Sequence, residues 1–149
     1  MTDETAEREV VLLAGEGKSV AIGGNRITRK LAAEESNGAF SVIEYRVAPG
    51  FTAPPLHANT KESWAAYVLE GALGFRLGPE TARAPTGSFL FFPRGMPFTW
   101  WNPEEKPARL LVIYCPAGFE RYFEEVGAAG RDEIPALWRK YGIEPVTES

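Results

Sequence analysis

At 149 residues, the chain has the length of a single domain, and 44% apolar with 24% charged residues is the balance of a soluble globular protein. A net charge of −4 with no basic stripe argues against nucleic acid as a partner, and no apolar run approaches the length of a membrane span. The acidic opening from Met1 to Glu9 lacks the apolar core of a signal peptide, and the single cysteine, Cys115, cannot close an internal disulfide, so a reducing cytoplasm is the expected location.

Glycine and proline punctuate short apolar segments nearly to the end of the chain. In order, strands are expected over 10–14, 19–22, 26–33, 39–48, 65–70, 72–77, 88–92, 97–101 and 109–115. Regularly spaced short strands with turn signals point to an all-β antiparallel sandwich or barrel. Glu70-Gly71 reads as a tight hairpin turn, because glycine tolerates positive φ. Pro103 to Pro107 reads as an exposed connection. The last third changes character. Phe119, Tyr122, Phe123 and Val126 recur at helical spacing, with Gly127 as a stop. Asp132 is a candidate cap for a second helix, with Leu137, Trp138 and Tyr141 on its apolar side and Gly142 at its end. Such an aromatic stripe is expected to pack on the barrel or to meet a second subunit.

Two stretches carry the functional signal. The first runs Gly50-Phe-Thr-Ala-Pro-Pro-Leu-His57-Ala-Asn59, through Glu62-Ser-Trp64, to Gly71. The second runs Gly87-Ser-Phe-Leu-Phe-Phe-Pro93-Arg-Gly95-Met-Pro-Phe98-Thr-Trp-Trp-Asn102. Together they resemble the two signature motifs of the cupin superfamily, over residues 40–115. The first family motif has a glycine, His-x-His, a glutamate and a glycine; the second has a glycine, Pro-x-Gly, a histidine and an asparagine. Here Gly71, Gly87, Pro93, Gly95 and Asn102 keep the family spacing, while the interval from Gly50 to His57 is one residue longer than the family's. The nearest likeness is to single-domain cupins of the quercetin-dioxygenase-like and polyketide-cyclase-like kind, and the tail from Pro116 to Phe123 resembles that group too. The resemblance implies a small antiparallel jelly-roll barrel over about 10–115 and a helical tail over about 117–142, all within one domain, 1–149. It also implies a homodimer, in which an N-terminal strand added to a partner's sheet would cover an exposed edge.

The family places its metal ligands inside the barrel. In this sequence His57 holds the first ligand position, Asn59 the second, Trp64 that of the glutamate and Phe98 that of the last histidine. A metal needs at least three imidazole, thiolate or carboxylate donors, and His57 is the only histidine in the chain. Glu62, two residues short of the glutamate position, is the one displaced carboxylate that could be proposed. No metal and no other cofactor is therefore expected.

Strand parity puts Trp64, Ala66 and Val68 on one inward face, and Phe98 with Trp100 on another. Trp64, Phe98 and Trp100 would offer flat faces to an aromatic or polyene ligand, with His57 and Asn59 orienting it by hydrogen bonds. The same aromatics could equally fill space, and His57 could be a hydrogen-bonded core residue. As a functional group, His57 is the best acid or base available. Glu44 and Arg46 share a face of the strand before Gly50. If that face is inward, Glu44 is a second catalytic candidate beside His57; if outward, both are solvated charges. Cys115 is expected to pack as a small hydrophobe, and Tyr67 and Trp101 to lie outside the barrel or at a subunit contact.

These readings point to a metal-independent enzyme acting on a hydrophobic, aromatic or polyketide-like small molecule by proton transfer: a cyclase, isomerase or lyase. A non-catalytic carrier or sensor of an apolar metabolite is the alternative, and a metal-dependent dioxygenase the third.

Overall fold

The computed structural model describes residues 7–147; the first six residues of the acidic opening lie outside them. The chain forms two antiparallel sheets, with two short helices at the C-terminal end. The six-stranded sheet consists of β1 (Lys18–Ile22), β2 (Asn25–Leu31), β3 (Ser41–Val47), β5 (Ser63–Glu70), β8 (Phe89–Phe92) and β10 (Ala108–Cys115), in the spatial order β1-β2-β3-β10-β5-β8. The five-stranded sheet consists of β4 (His57–Asn59), β6 (Ala72–Leu77), β7 (Glu80–Pro85), β9 (Phe98–Trp101) and β11 (Ile143–Pro145), in the order β11-β4-β9-β6-β7. The expected antiparallel jelly roll with C-terminal helices is the fold observed.

Alternation along the strands builds the interior. Ser41, Ile43, Tyr45 and Val47 of β3 are buried, as are Ala108, Leu110, Val112 and Tyr114 of β10 and Trp64, Ala66 and Val68 of β5. These three strands are neighbours, so their side chains make one continuous inner face. Leu73, Phe75, Phe98 and Trp100 answer from the facing sheet. Each large apolar side chain so buried contributes about 1.5–3 kcal/mol. Close packing continues where β6 meets β9: a Cβ on Gly74 would lie 2.1 Å from Trp101 Nε1, so only glycine lets that indole lie flat there.

Several expectations need correction. Residues 10–14 form no strand; Val11, Leu12 and Leu13 are exposed, because no neighbouring strand offers them a ladder. Glu70-Gly71 is not a hairpin. β5 and β6 belong to different sheets, and Gly71 (φ 79°) is the corner where the chain crosses between them, hard against Ala108 and Pro107. The short strands β4, β7 and β11 were not foreseen: two have only three residues, and β7 is mostly exposed.

The helices are α1 (Glu120–Ala128) and α2 (Ile134–Tyr141). Gly127 falls within α1 rather than stopping it, with Val20 packed close by. Asp132 supplies no cap; instead the Gly130 N–H donates to Glu133 Oε1, and a short 3-10 turn leads into α2. Gly142 does end α2, in the left-handed conformation expected (φ 72°).

One outer face is unusually apolar. On β8 and β5, Phe89 lies opposite Tyr67 and Phe91 opposite Ala65, with Ile113 of β10 beyond Ala65. Phe89, Phe91, Tyr67 and Ile113 are all exposed. Among the described residues no helix is long and apolar enough to cross a membrane.

Candidate functional site

A cavity of about 410 Å3 opens between the two sheets and beneath the helices, inside the ~300–1,000 Å3 range of small-molecule sites. His57, Asn59, Trp64, Phe98 and Trp100, the residues picked out on parity, all line it. His57 and Asn59 come from β4, Phe98 and Trp100 from β9, and Trp64 from β5 across the interior.

His57 is held on three sides. Its Nδ1 lies 3.0 Å from the Pro55 carbonyl oxygen. A carbonyl can only accept, so Nδ1 carries the proton and Nε2 is left with a free lone pair. The imidazole packs against Phe98 at 4.4 Å between ring centroids and against Trp138 of α2 at 5.8 Å. Burial lowers the His57 pKa, opposed by the Pro55 hydrogen bond. The ring is therefore neutral at pH 7, and Nε2 is available as a base or as an acceptor. Asn59, buried beside it, gives its backbone carbonyl to the Gly95 N–H at 2.8 Å. Among the described residues no hydrogen bond ties its side-chain amide, and the residue lines the cavity.

Trp64 stacks on Phe92, rings parallel and 3.8 Å apart, and meets Phe98 edge-on at 5.3 Å. Its indole N–H is buried without a hydrogen-bond partner, a state that costs about 1–3 kcal/mol.

Residues 43–114 match the family described as the cupin domain. Residues 43–114 are a cupin domain. Solved structures share the fold. The polyketide cyclase RemF from Streptomyces resistomycificus is 21% identical, with a TM-score of 0.61 over 70% of this chain and 78% of that one. An RmlC-like cupin from Shewanella frigidimarina is 16% identical, with a TM-score of 0.64 over 77% and 97%. A predicted oxalate decarboxylase from Thermotoga maritima is 18% identical, with a TM-score of 0.64 over 71% and 98%. No curated protein is significantly similar in sequence.

The cupin framework residues have visible structural duties. Asn102 donates from Nδ2 to the carbonyls of Val47, Ala48 and Lys106, and its Oδ1 accepts from the Glu104 N–H. It fastens the β9–β10 connection to the end of β3. Gly95 (φ 81°) presents its N–H to Asn59, tying the second motif to the strand that carries His57.

The expectation that Glu44 could join His57 is wrong. The inner face of β3 is taken by Ser41, Ile43, Tyr45 and Val47, so Glu44 points outward, where its carboxylate pairs with Arg109 Nη1 at 3.5 Å. Glu62 does not reach the cavity either. It is buried in the wall of a second hollow near Lys61, Arg121 and Tyr141, with Oε2 unpartnered. Cys115 is exposed rather than packed, because it falls on the outward parity of β10.

Sequence reasoning missed the helical contribution. Phe119, Tyr122, Phe123 and Trp138 pack on the barrel as expected, but they also wall the cavity. It also missed Tyr45 and Tyr114, whose inward parity on β3 and β10 could have placed them.

Proposed function

We propose that this cupin domain acts without a metal on a hydrophobic aromatic or polyketide-like molecule, moving protons in a cyclase, isomerase or lyase reaction. The observation that carries this reading is the neutral His57, alone among wholly uncharged cavity walls. The metal that related cupins use does not fit the donors present. Trp64 and Phe98 have no lone pair to give, and their rings meet at 5.3 Å where ligands would converge. Among the described residues no three His, Cys, Asp or Glu side chains come together.

His57 Nε2 takes a proton from an activated carbon or hydroxyl and returns it at a second position, so the reaction is redox-neutral. The Pro55 carbonyl keeps the tautomer and stabilises the transient imidazolium. Asn59 holds a carbonyl or hydroxyl through its free amide, and the aromatic walls exclude water. One acid-base group supplies about 10²–10⁴-fold, so the remaining rate comes from positioning and the reaction is intrinsically easy.

Exchange of the C2 protons of α-tetralone, a neutral bicyclic ketone, into D2O tests this by NMR. The protein should accelerate exchange, and His57→Ala should cut the rate at least tenfold with its melting temperature little changed. Tetralone that binds without faster exchange would favour the second reading, a non-catalytic carrier. That reading draws support from Glu44, whose outward turn leaves His57 without an acid-base partner. The resemblance and the apolar outer face of β5 and β8 together support a homodimer.

A further inference from the structure

Three tyrosines surround one end of the cavity. Tyr45 comes from β3, Tyr114 from β10 and Tyr122 from α1, and all three are lining residues. Their rings gather around a single phenylalanine. Phe123 lies 5.6 Å from Tyr45, 6.4 Å from Tyr114 and 5.6 Å from Tyr122, centroid to centroid. Tyr45 and Tyr114 stand on the sheet facing the one that carries His57 and Asn59. Facing sheets are about 10 Å apart, so Tyr45 and Tyr114 stand across the cavity from His57 and Asn59, with Tyr122 beside Trp138 on the helical side.

The tyrosine hydroxyls are not used up by the fold. Tyr114 is buried, yet among the described residues its hydroxyl bonds to no protein group. Tyr45 is hydrogen-bonded to the Asn25 side chain and has the Tyr114 and Tyr122 hydroxyls nearby, and Tyr122 takes the Trp138 indole N–H, leaving its own O–H to give. Burial raises the pKa of all three, so they remain phenols and donate hydrogen bonds. No Lys, Arg, Asp or Glu lines the cavity. A carboxylate, sulfonate or phosphate entering it would shed its hydration and meet no cation, a loss that hydroxyl donors do not repay.

We propose that Tyr45, Tyr114 and Tyr122 are specificity-determining residues forming a second polar pole, and that the ligand is an uncharged ring system with oxygen functions at two ends. One end meets the tyrosines and the other meets His57 and Asn59. This rests on the reading of the cavity as the ligand site, and it narrows the substrate class to neutral, doubly oxygenated aromatics.

Calorimetric titration with three probes tests it: 2,6-dihydroxynaphthalene, 2-naphthol and 2-naphthalenesulfonate. The diol should bind tightest and the sulfonate at least tenfold more weakly. In the double variant Tyr45→Phe/Tyr114→Phe, about tenfold of diol affinity should go, corresponding to two lost hydrogen bonds, and with it the advantage of the diol over 2-naphthol. Should that variant fail to fold, Tyr122→Phe, which is less buried, carries the same comparison. Sulfonate binding as tight as the diol's, or a diol advantage untouched by the substitutions, overturns the proposal while leaving the cavity as an apolar ligand site. Failure of both naphthols to bind removes the ligand-site reading itself, and this proposal with it.

Discussion

His57 and Phe98 sit directly opposite each other across the β4–β9 pair, ring centroids 4.4 Å apart. Both hold positions at which the cupin motif has a histidine, and here the two rings press on each other. Phe98 also packs on Trp64 and Phe92, and it is almost fully buried. Phe98→Ala should therefore cost about 3–5 kcal/mol of stability, measured by urea denaturation. Phe98→Leu should cost less. A loss below 1 kcal/mol for Phe98→Ala would mean that the cavity wall does not depend on this ring.

The C-terminal tail registers the candidate base. Pro145 pairs with His57 and Ile143 with Asn59 across β11–β4. The Gly142 carbonyl accepts from both the Thr60 N–H and its Oγ1, and the Val146 N–H donates to Leu56. β4 is only three residues long and otherwise meets β9 at the single His57–Phe98 pair. Removing residues 143–149 should leave the two-sheet core folded while reducing affinity for 2-naphthol at least tenfold. Far-ultraviolet circular dichroism and calorimetry check the two halves separately.

Glu62 gives stability an unusual pH dependence. Burial pushes its pKa up to about 7, against its own backbone N–H and the nearby Arg94 and Lys61. The folded state therefore prefers the protonated acid. Stability from this group is whole below about 4.5, the unfolded value, and is lost as pH rises through about 7. Relative to its effect at pH 4.5, Glu62→Gln should gain on the order of 1–3 kcal/mol at pH 8. Parallel stability curves for the variant and the parent would show that Glu62 ionises normally.

His57 acts in the opposite direction. Its pKa is lowered in the fold, so the unfolded chain binds the proton more tightly. Stability from this group is whole above the unfolded value of about 6.5 and falls as pH drops below it. The exchange rate with α-tetralone should decline further into acid, as pH falls through the lowered folded-state pKa, because protonation removes the Nε2 lone pair. His57→Gln should abolish both dependences; an acid limb that survives in the rate belongs to another group.

The outer face of β5 and β8 should join two copies. Phe89 and Phe91 are 64% and 51% exposed on a strand at the edge of its sheet, where a second copy could cover them by a two-fold contact. Analytical ultracentrifugation should give twice the 16.4 kDa chain mass, and Phe89→Glu/Phe91→Glu should return it to one. A parent protein sedimenting as a monomer would remove the homodimer.

Inward parity was legible for Trp64, Phe98 and Trp100 because a strand alternates strictly, and the glycines at 71, 87 and 95 marked bends where a side chain would be strained. Glu44 was not legible. Its strand is apolar at both parities, so only the neighbours on each side could decide which face was inner. Residues 10–14 looked like a strand on composition, but a strand exists only when another offers its backbone groups. The hairpin at Gly71 failed for a related reason: glycine marks a turn without saying which sheet comes next.

The sequence by itself determined the all-β framework, the presence of Asn59, Trp64 and Phe98 at motif positions where the cupin pattern has other residues, and the aromatic character of the interior, because these follow from residue identity and short-range periodicity. Only the tertiary structure decided that β11 pairs with β4, that α1 and α2 wall the cavity, that three tyrosines converge on Phe123, and that Glu62 is buried with one carboxylate oxygen unpartnered. Those relationships join residues far apart in the chain, and no local pattern encodes which distant surfaces will be brought into contact.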